Sequence, residues 1–278
     1  MIQAILLDLD GTLLNDEKII TEQTKRTLLA LQEQGVKVVL ASGRPKRGMI
    51  RYAQELKLNE FGGLIVSSNG ACVTDASTGD TLFEQAMQIE DVRSILKHLE
   101  HYEVIPMIND DTYMYVRDVF EGQLEVNGKL INIIEYESRG GQFQLREEPN
   151  LIEIIDFPIH KILVAGEPSY LRENATALAG PFTGRVTSMF TAAMYYEFTD
   201  FGIDKAKALR HVFEDLCINR DHVIAFGDGH NDRSIIEYAG IGIAMGNAVD
   251  ALIDIASEVT TSNNDDGISK ILERYITH

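Results

Sequence analysis

Apolar and polar positions along the chain fall into two textures. Residues 2–8 (IQAILLD) form a short aliphatic run that stops at acids, which predicts a buried first strand. Residues 21–34 carry helix-forming side chains with Leu28, Leu29 and Leu31 on an apolar face, Thr21 as a plausible N-cap and Gly35 where a helix-ending glycine belongs. A second buried strand is predicted over 36–42 (VKVVLAS), a helix around 46–57 and a third strand over 63–68 (GLIVSS). Alternating strands and helices with nearly continuous apolar strands predict parallel pairing and helices on both faces. The same texture returns near the C-terminus: a helix over 205–216, a strand over 222–228, a helix over 231–239, a short strand and turn over 241–247, and a last helix over 267–276.

The middle reads differently. A helix (90–101) leads to two adjacent strands, VIPMIND and TYMYVRD, then a helical stretch, a strand over 160–167 and a helix through 170–179. This predicts a self-contained α/β block, residues 85–188, inserted between the halves 1–84 and 189–278 of one sheet domain. The connections near 82–88 and 184–191 are the candidate hinges.

Composition narrows the function classes. With 278 residues, 45% hydrophobic and 24% charged, the chain suits a globular enzyme. No apolar run approaches the roughly 20 residues that span a bilayer. Asp8 and Asp10 interrupt the apolar start, and no basic leader precedes it, so it reads as a strand and not as a signal peptide. Two distant cysteines, Cys72 and Cys217, indicate no disulfide framework and make a reducing cytoplasm the simplest compartment. A formal net charge of −18 without a basic stripe argues against a nucleic-acid partner. It also means that any phosphate site must be made locally positive by a metal ion, a lysine and backbone amides.

Four clusters carry candidate chemistry, each at the carboxyl end of a predicted strand or the start of a helix. Asp8-Leu9-Asp10-Gly11-Thr12 offers one carboxylate as a nucleophile and another as a proton donor, beside a turn that Gly11 permits. Ser42-Gly43-Arg44-Pro45 offers a hydroxyl and amides for phosphate oxygens, although Ser-Gly before a helix is also a common N-cap. Lys205 begins a helix, where an ammonium and free amide ends reinforce each other against an anion; Lys207 reads as surface. Asp228, Asn231 and Asp232 follow an apolar strand and are hard oxygen donors suited to Mg²⁺, with one of them expected to serve only as an N-cap. His230 between them is discounted, since imidazole is a poor Mg²⁺ partner.

Taken together, DLDGT (8–12), ASGRP (41–45), SSNGA (67–71), GIDKAKAL (202–209), FGDGHNDRSIIEYAGIGIAMGNA (226–248) and VTTSNNDDGI (259–268) resemble the haloacid dehalogenase (HAD) superfamily, and within it the Cof-type phosphatases with a large α/β cap. The likeness covers essentially the whole chain. Ala206 stands where glycine is frequent, and Ile235 or Ile236 where methionine is usual; neither change removes a functional group. The resemblance implies a Rossmann-like parallel-sheet core with an inserted cap. It implies a Mg²⁺-dependent phosphatase for small phosphorylated metabolites, sugar phosphates leading, with Asp8 forming an aspartyl-phosphate. Asp10 would exchange protons, helped by a pKa raised toward neutrality. Asp8, the Asp10 carbonyl and Asp228 would hold the metal, with Asn231 and Asp232 behind them. Ser42, Gly43, Lys205 and the Gly11 turn would hold phosphate, with Asn231 within reach of it. Arg44 and Asn69 are placed to reach the leaving group or to serve as loop hydrogen bonds. In the inserted block Asp110, Asp111, Tyr113 and Arg117 are candidates for reading substrate, against a solvated strand edge.

Two rivals remain and a third fails. A phosphomutase would use the same aspartate, and a phosphometabolite-binding regulator would have no need of it. An ion-pumping ATPase lacks its membrane segments here. No partner is required to complete such a site, so a monomer or weak homodimer is expected.

Overall fold

The computed structural model describes residues 2–126 and 128–276. Sixteen strands are present among them. Eight form one sheet: β1 (Ala4–Leu7), β2 (Lys37–Ala41), β3 (Leu64–Ser67), β4 (Cys72–Asp75), β5 (Thr81–Glu84), β14 (Val223–Gly227), β15 (Ile241–Ala244) and β16 (Glu258–Val259), in the order β16-β15-β14-β1-β2-β3-β4-β5. Pairing is parallel from β16 through β3, as the apolar runs predict, and antiparallel for β3-β4 and β4-β5. The two antiparallel strands after residue 70 lie outside the predicted pattern.

Burial explains the layering. All four residues of β1 are fully buried, and they alternate between two apolar clusters: Ile5 and Leu7 face one, Ala4 and Leu6 the other. The first cluster takes Leu28 and Leu31 from the helix Glu22–Glu33 and Ile268 and Ile271 from the helix Gly267–Leu272. The second takes Leu209 and Phe213 from the helix Lys205–Asp215 and Ile235 from the helix Arg233–Tyr238. A strand with apolar side chains on both faces is stable only between two such layers. The helix boundaries follow local chemistry: the Thr21 side chain caps the first helix by accepting from the Thr24 amide, and Asp204 caps another by accepting from the amides of Ala206 and Lys207.

The chain divides into two units, Met1–Glu84 with Asp204–His278, and Gln85–Ile203. The first boundary coincides with the expected 84/85. The second lies later than the expected 188/189, at 203/204, because the strands that run to Asp200 belong to the second unit's sheet. Strand β12 (Val186–Ala192) pairs antiparallel with β13 (Tyr195–Asp200), and β13 pairs with β11 (Lys161–Ala165). The pattern MFTAAMYYEFTD mixes apolar and polar residues on both parities, which hid a hairpin that is half polar on one face.

The second unit's sheet also includes β6 (Ile105–Asn109), β7 (Tyr113–Val116) and β10 (Gln144–Glu147), in the order β10-β7-β6-β11-β13-β12; β8 (Gln123–Val126) and β9 (Lys129–Asn132) form a separate pair. One face packs Ile162, Val164, Tyr196 and Phe198 with the helices Ile89–Leu99 and Pro168–Ala179. On the other face Leu163, Ala165 and Tyr195 meet Ile133 and Ile134 of the helix Ile133–Gly141.

Within this unit Lys161 donates to Glu197 Oε1 at 2.7 Å, and both side chains are buried. Removing one partner of a buried ion pair strands the other charge, at a cost of about 3–5 kcal/mol, whereas replacing both by apolar residues is often close to neutral. Glu197→Ala should therefore lower the unfolding free energy far more than the double change Lys161→Met with Glu197→Leu. Denaturant titrations of the three proteins check this; equal losses would mean that the pair acts through volume alone.

Candidate active site

Strand β1 lies at the centre of the larger sheet, with β2 and β3 stepping outward on one side and β14 and β15 on the other. Where strand order reverses like this, a crevice opens beyond the carboxyl ends of the strands, the usual ligand site of an open α/β sheet. Asp8 follows β1, Ser42 follows β2, Ser68 follows β3 and Asp228 follows β14. All four predicted clusters belong to this unit.

The centre of the site is a buried ion triad. Lys205 is fully buried, and its Nζ donates to Asp8 Oδ1 and to Asp232 Oδ1, both at 2.6 Å. The other oxygen of Asp232 accepts from the amides of Asp228 and Gly229 at 3.0 and 2.9 Å, which closes the turn after β14. Asp228 Oδ1 accepts from the Thr12 hydroxyl at 2.7 Å, tying that turn back to the loop after β1. Gly11, at φ 84°, runs so close to Asp228 that a Cβ there would overlap its carboxylate, so the residue is required for conformation and for space. Its carbonyl accepts from Asn247 Nδ2 at 2.8 Å.

Carboxylate oxygens of Asp8, Asp228 and Asp232 all lie within 4.8 Å of one another. Burial and the neighbouring charge of Asp232 push the Asp8 carboxyl well above the ordinary carboxylate range, against the pull of Lys205. Asp228 is pushed up to about 6, mainly by burial. The same surroundings hold the Lys205 ammonium charged: burial disfavours the charge, and Asp232 and Asp8 more than restore it. Three clustered carboxyls against one lysine leave an excess of negative charge that a hard divalent cation would neutralise, and oxygen donors are what Mg²⁺ requires. The donor set therefore fits such an ion. Asp232, both of whose oxygens are already engaged, is best suited to orienting its neighbours.

A second group surrounds Asp10. Arg44 grips its carboxylate with two bonds of 2.7 Å, from Nε to Oδ2 and from Nη2 to Oδ1, and Lys18 Nζ adds one of 2.9 Å to Oδ1. Burial alone would raise the Asp10 pKa; the two cations outweigh it and hold the carboxyl below its usual value. In the resting site this departs from the expectation of an Asp10 pKa raised toward neutrality. Its carboxylate is not one of the three that cluster closely enough to share an ion.

Ser42 is buried; its Oγ accepts from the Arg44 amide at 3.2 Å and its carbonyl from the Asn69 amide at 3.0 Å. Asn231 Nδ2 donates to Asn69 Oδ1 at 3.1 Å. Hydrogen bonds thus connect Asp8, Lys205, Asp232, Asp228 and Thr12, and separately Asp10 with Arg44 and Ser42, and Ser42 with Asn69 and Asn231. His230 is exposed. Lys18 and Asn247 were missed by sequence reasoning, because each lies in an ordinary polar loop and is brought in only by the fold.

In the second unit, two of the four residues weighed between substrate reading and a strand edge, Asp110 and Arg117, are bonded within that unit. Asp110 Oδ1 accepts from the amides of Thr112 and Tyr113, and its Oδ2 from the Tyr115 hydroxyl, all at 2.6 Å. Arg117 donates to the Leu96 carbonyl at 3.3 Å.

A family model described as haloacid dehalogenase-like hydrolase matches residues 5–272. The chain belongs to that family. Among relatives, it is 30% identical over 282 residues to the 5-amino-6-(5-phospho-D-ribitylamino)uracil phosphatase YitU of Bacillus subtilis, covering 98% of this chain and 97% of that protein. It is 26% identical over 296 residues to phosphatase YwpJ of the same organism, with 98% and 99% covered. The crystal structure of a haloacid dehalogenase-like hydrolase from Bacteroides thetaiotaomicron superposes with a TM-score of 0.90 at 31% identity, covering 99% of this chain and 100% of that one.

This HAD-like hydrolase should show a metal response that depends on pH. Raised carboxyls hold protons that must leave before a cation binds, so Mg²⁺ binding strengthens with pH. In the metal-free protein the folded state keeps protons that the unfolded chain has lost, so these groups oppose folding increasingly as pH rises past the ordinary carboxylate range. The rise in Tm on adding Mg²⁺ should therefore be larger near pH 8 than near pH 5. A pH-independent shift, read by thermal denaturation, would show that the cation binds elsewhere.

Proposed function

We propose that this HAD-type phosphatase hydrolyses small phosphate monoesters, sugar phosphates foremost, through an aspartyl-phosphate on Asp8 and with Mg²⁺ as its metal. The observation that carries the reading is the buried Asp8–Lys205–Asp232 triad beside Asp228. A binding protein would have no use for a nucleophilic carboxylate set against a buried ammonium, and the residues form a set that phosphoryl transfer needs.

Asp8 attacks phosphorus in line with the departing oxygen. The Asp8–phosphorus bond forms as the bond to the leaving oxygen breaks, and Asp10 gives that oxygen a proton. Water then attacks the aspartyl-phosphate, Asp10 takes a proton from it, and inorganic phosphate leaves as the Asp8 carboxylate is restored. Lys205 fixes one Asp8 oxygen and offers charge to the phosphoryl group. Ser42 and the Gly43 amide hold further phosphate oxygens, with Asn231 in support. Asp8, Asp228 and the Asp10 carbonyl would hold Mg²⁺, with Asp232 orienting them. When bound, the ion supplies the positive charge that lets an anionic nucleophile approach an anionic phosphate.

Asp10 begins this sequence bound to Arg44 and Lys18. An arriving phosphate competes for both cations, and a carboxyl released from them regains affinity for a proton. YitU, named for a ribityl phosphate, supports a substrate with a polyhydroxylated organic part. The absence, among the described residues, of any helix long and apolar enough to cross a membrane fits a metabolite phosphatase of the cytoplasm.

Phosphate release from a panel of sugar, nucleotide and aryl phosphates, with and without Mg²⁺, tests the proposal. Release should require the metal and vanish in Asp8→Asn, since an amide is a poor nucleophile. Asp10→Ala should lose roughly 10²–10⁴ in kcat, the range of general acid–base catalysis. Substantial turnover by Asp8→Asn would overturn the covalent route, and turnover only with a bisphosphorylated activator would assign a mutase.

A further inference from the structure

Three successive residues after β3 adopt left-handed backbone conformations: Ser68 at φ 49°, Asn69 at φ 56° and Gly70 at φ 104°. Only the glycine does so without steric penalty, and Ser68 and Asn69 are buried. Left-handed non-glycine residues persist only where the surroundings over-determine them, and such strain concentrates at functional sites. The surroundings here are the three other loops of the site.

The Ser68 amide donates to the Arg44 carbonyl at 2.9 Å, and the Asn69 amide to the Ser42 carbonyl at 3.0 Å. Both bonds run to the loop after β2. Asn69 Oδ1 accepts from Asn231, in the loop after β14. The Asn69 side-chain amide also lies flat against Gly43: a Cβ built there would stand 3.2 Å from both of its terminal atoms. Gly70 presses on the start of the helix that carries Lys205. A Cβ at Gly70 would overlap the Asp204 carbonyl and stand 3.1 Å from Lys205 Cα. One three-residue knuckle therefore touches the Ser42–Arg44 turn, Asn231 and the backbone of Lys205.

We propose that Ser68–Gly70 is a positioning knuckle, with Asn69 a positioning residue that sets these three loops in one register and does not contact substrate. By sequence Asn69 suits either a substrate contact or a loop hydrogen bond; its bonds in the structure are of the second kind, in a specific role. An asparagine suits the place because it tolerates the left-handed region and brings an amide that bonds across to another loop. The inference rests on the phosphatase reading, since it is that chemistry the register serves. Misplacement of such groups by about 1 Å is enough to cost about 10²-fold in rate.

The test compares wild type with Asn69→Gly and Asn69→Asp by thermal denaturation, steady-state kinetics on esters with unlike leaving groups, and hydrogen exchange. Asn69→Gly keeps the backbone conformation without strain and deletes the amide. Its Tm should stay close to wild type, while kcat falls by about 10- to 100-fold by the same factor for p-nitrophenyl phosphate and for a sugar phosphate. Asn69→Asp, which keeps an acceptor for Asn231, should recover part of the loss. Amide exchange should quicken together in segments 42–45 and 229–233, a readout that needs no turnover. A loss that varies with the leaving group and falls on KM would make Asn69 a substrate contact and overturn the proposal. So would kcat within about twofold of wild type, a loss that follows Tm alone, or unchanged exchange in both segments. If wild type releases phosphate from no ester, the phosphatase reading fails, and the exchange data still decide whether the knuckle couples the loops.

Discussion

The constraint on which the site depends is a lysine without water. Lys205 carries its charge at a fully buried position, and a lone ammonium there would be driven to lose its proton. Asp8 and Asp232 prevent this from opposite ends of the chain, and in doing so they bring the loop after β1, the loop after β14 and the start of a helix to one point. The arrangement is costly to assemble and costly to disrupt, because removing Lys205 leaves two buried carboxyls facing each other without a cation. Stability alone would be served as well by three apolar side chains. A triad of this kind is intelligible where one of its carboxylates must be held in place with its reactivity kept.

Topology determines which residues can meet in this way. Since β1 sits where the strand order reverses, the loops that follow β1, β2, β3 and β14 share one edge of the sheet. The polar ties between them are short and local at each loop, yet join positions far apart in sequence: Thr12 with Asp228, Lys205 with Asp8, Asn231 with Asn69. The apolar layers beneath provide rigidity, since β1 is buried on both faces and cannot shift without disturbing two cores. A site built on such strands keeps its distances, as catalysis by positioned charge demands.

How much of this was legible in the sequence follows from the range of each signal. Parallel strands buried on both faces appear as unbroken apolar runs, and Ile5 to Leu7, Val38 to Leu40 and Ile224 to Phe226 all read that way. Strands that mix polar with apolar residues gave no such run, whether exposed throughout like β10 or largely buried like β13. The hairpin β8-β9, strand β10 and the pair β12-β13 carry mixed residues such as QLEV, QLRE and YYEFTD, and the end of the inserted unit was placed too early for that reason. At the site, Asp8, Asp228 and Lys205 were legible because their clusters stand at strand ends or a helix start. The environment of Asp10 was not. Its pKa is decided by Arg44 and Lys18, one from another loop and one eight residues along its own, and no local pattern announces either contact.

That environment changes how phosphate recognition is to be understood in a chain of net charge −18. The cations at this site are not bare: Arg44 and Lys18 are satisfied by Asp10, and Lys205 by Asp8 and Asp232. On the proposed reading an incoming phosphate exchanges partners with carboxylates already in place. Exchanging one anion for another gains less than filling a vacant cationic hole would, and the bidentate fork of Arg44 suits a phosphate as it suits a carboxylate. On the same proposed reading the displaced carboxylate would be the proton carrier itself. Substrate binding and the freeing of Asp10 are then one event, and a carboxyl that is unreactive in the resting site becomes available only when there is a leaving oxygen to receive its proton.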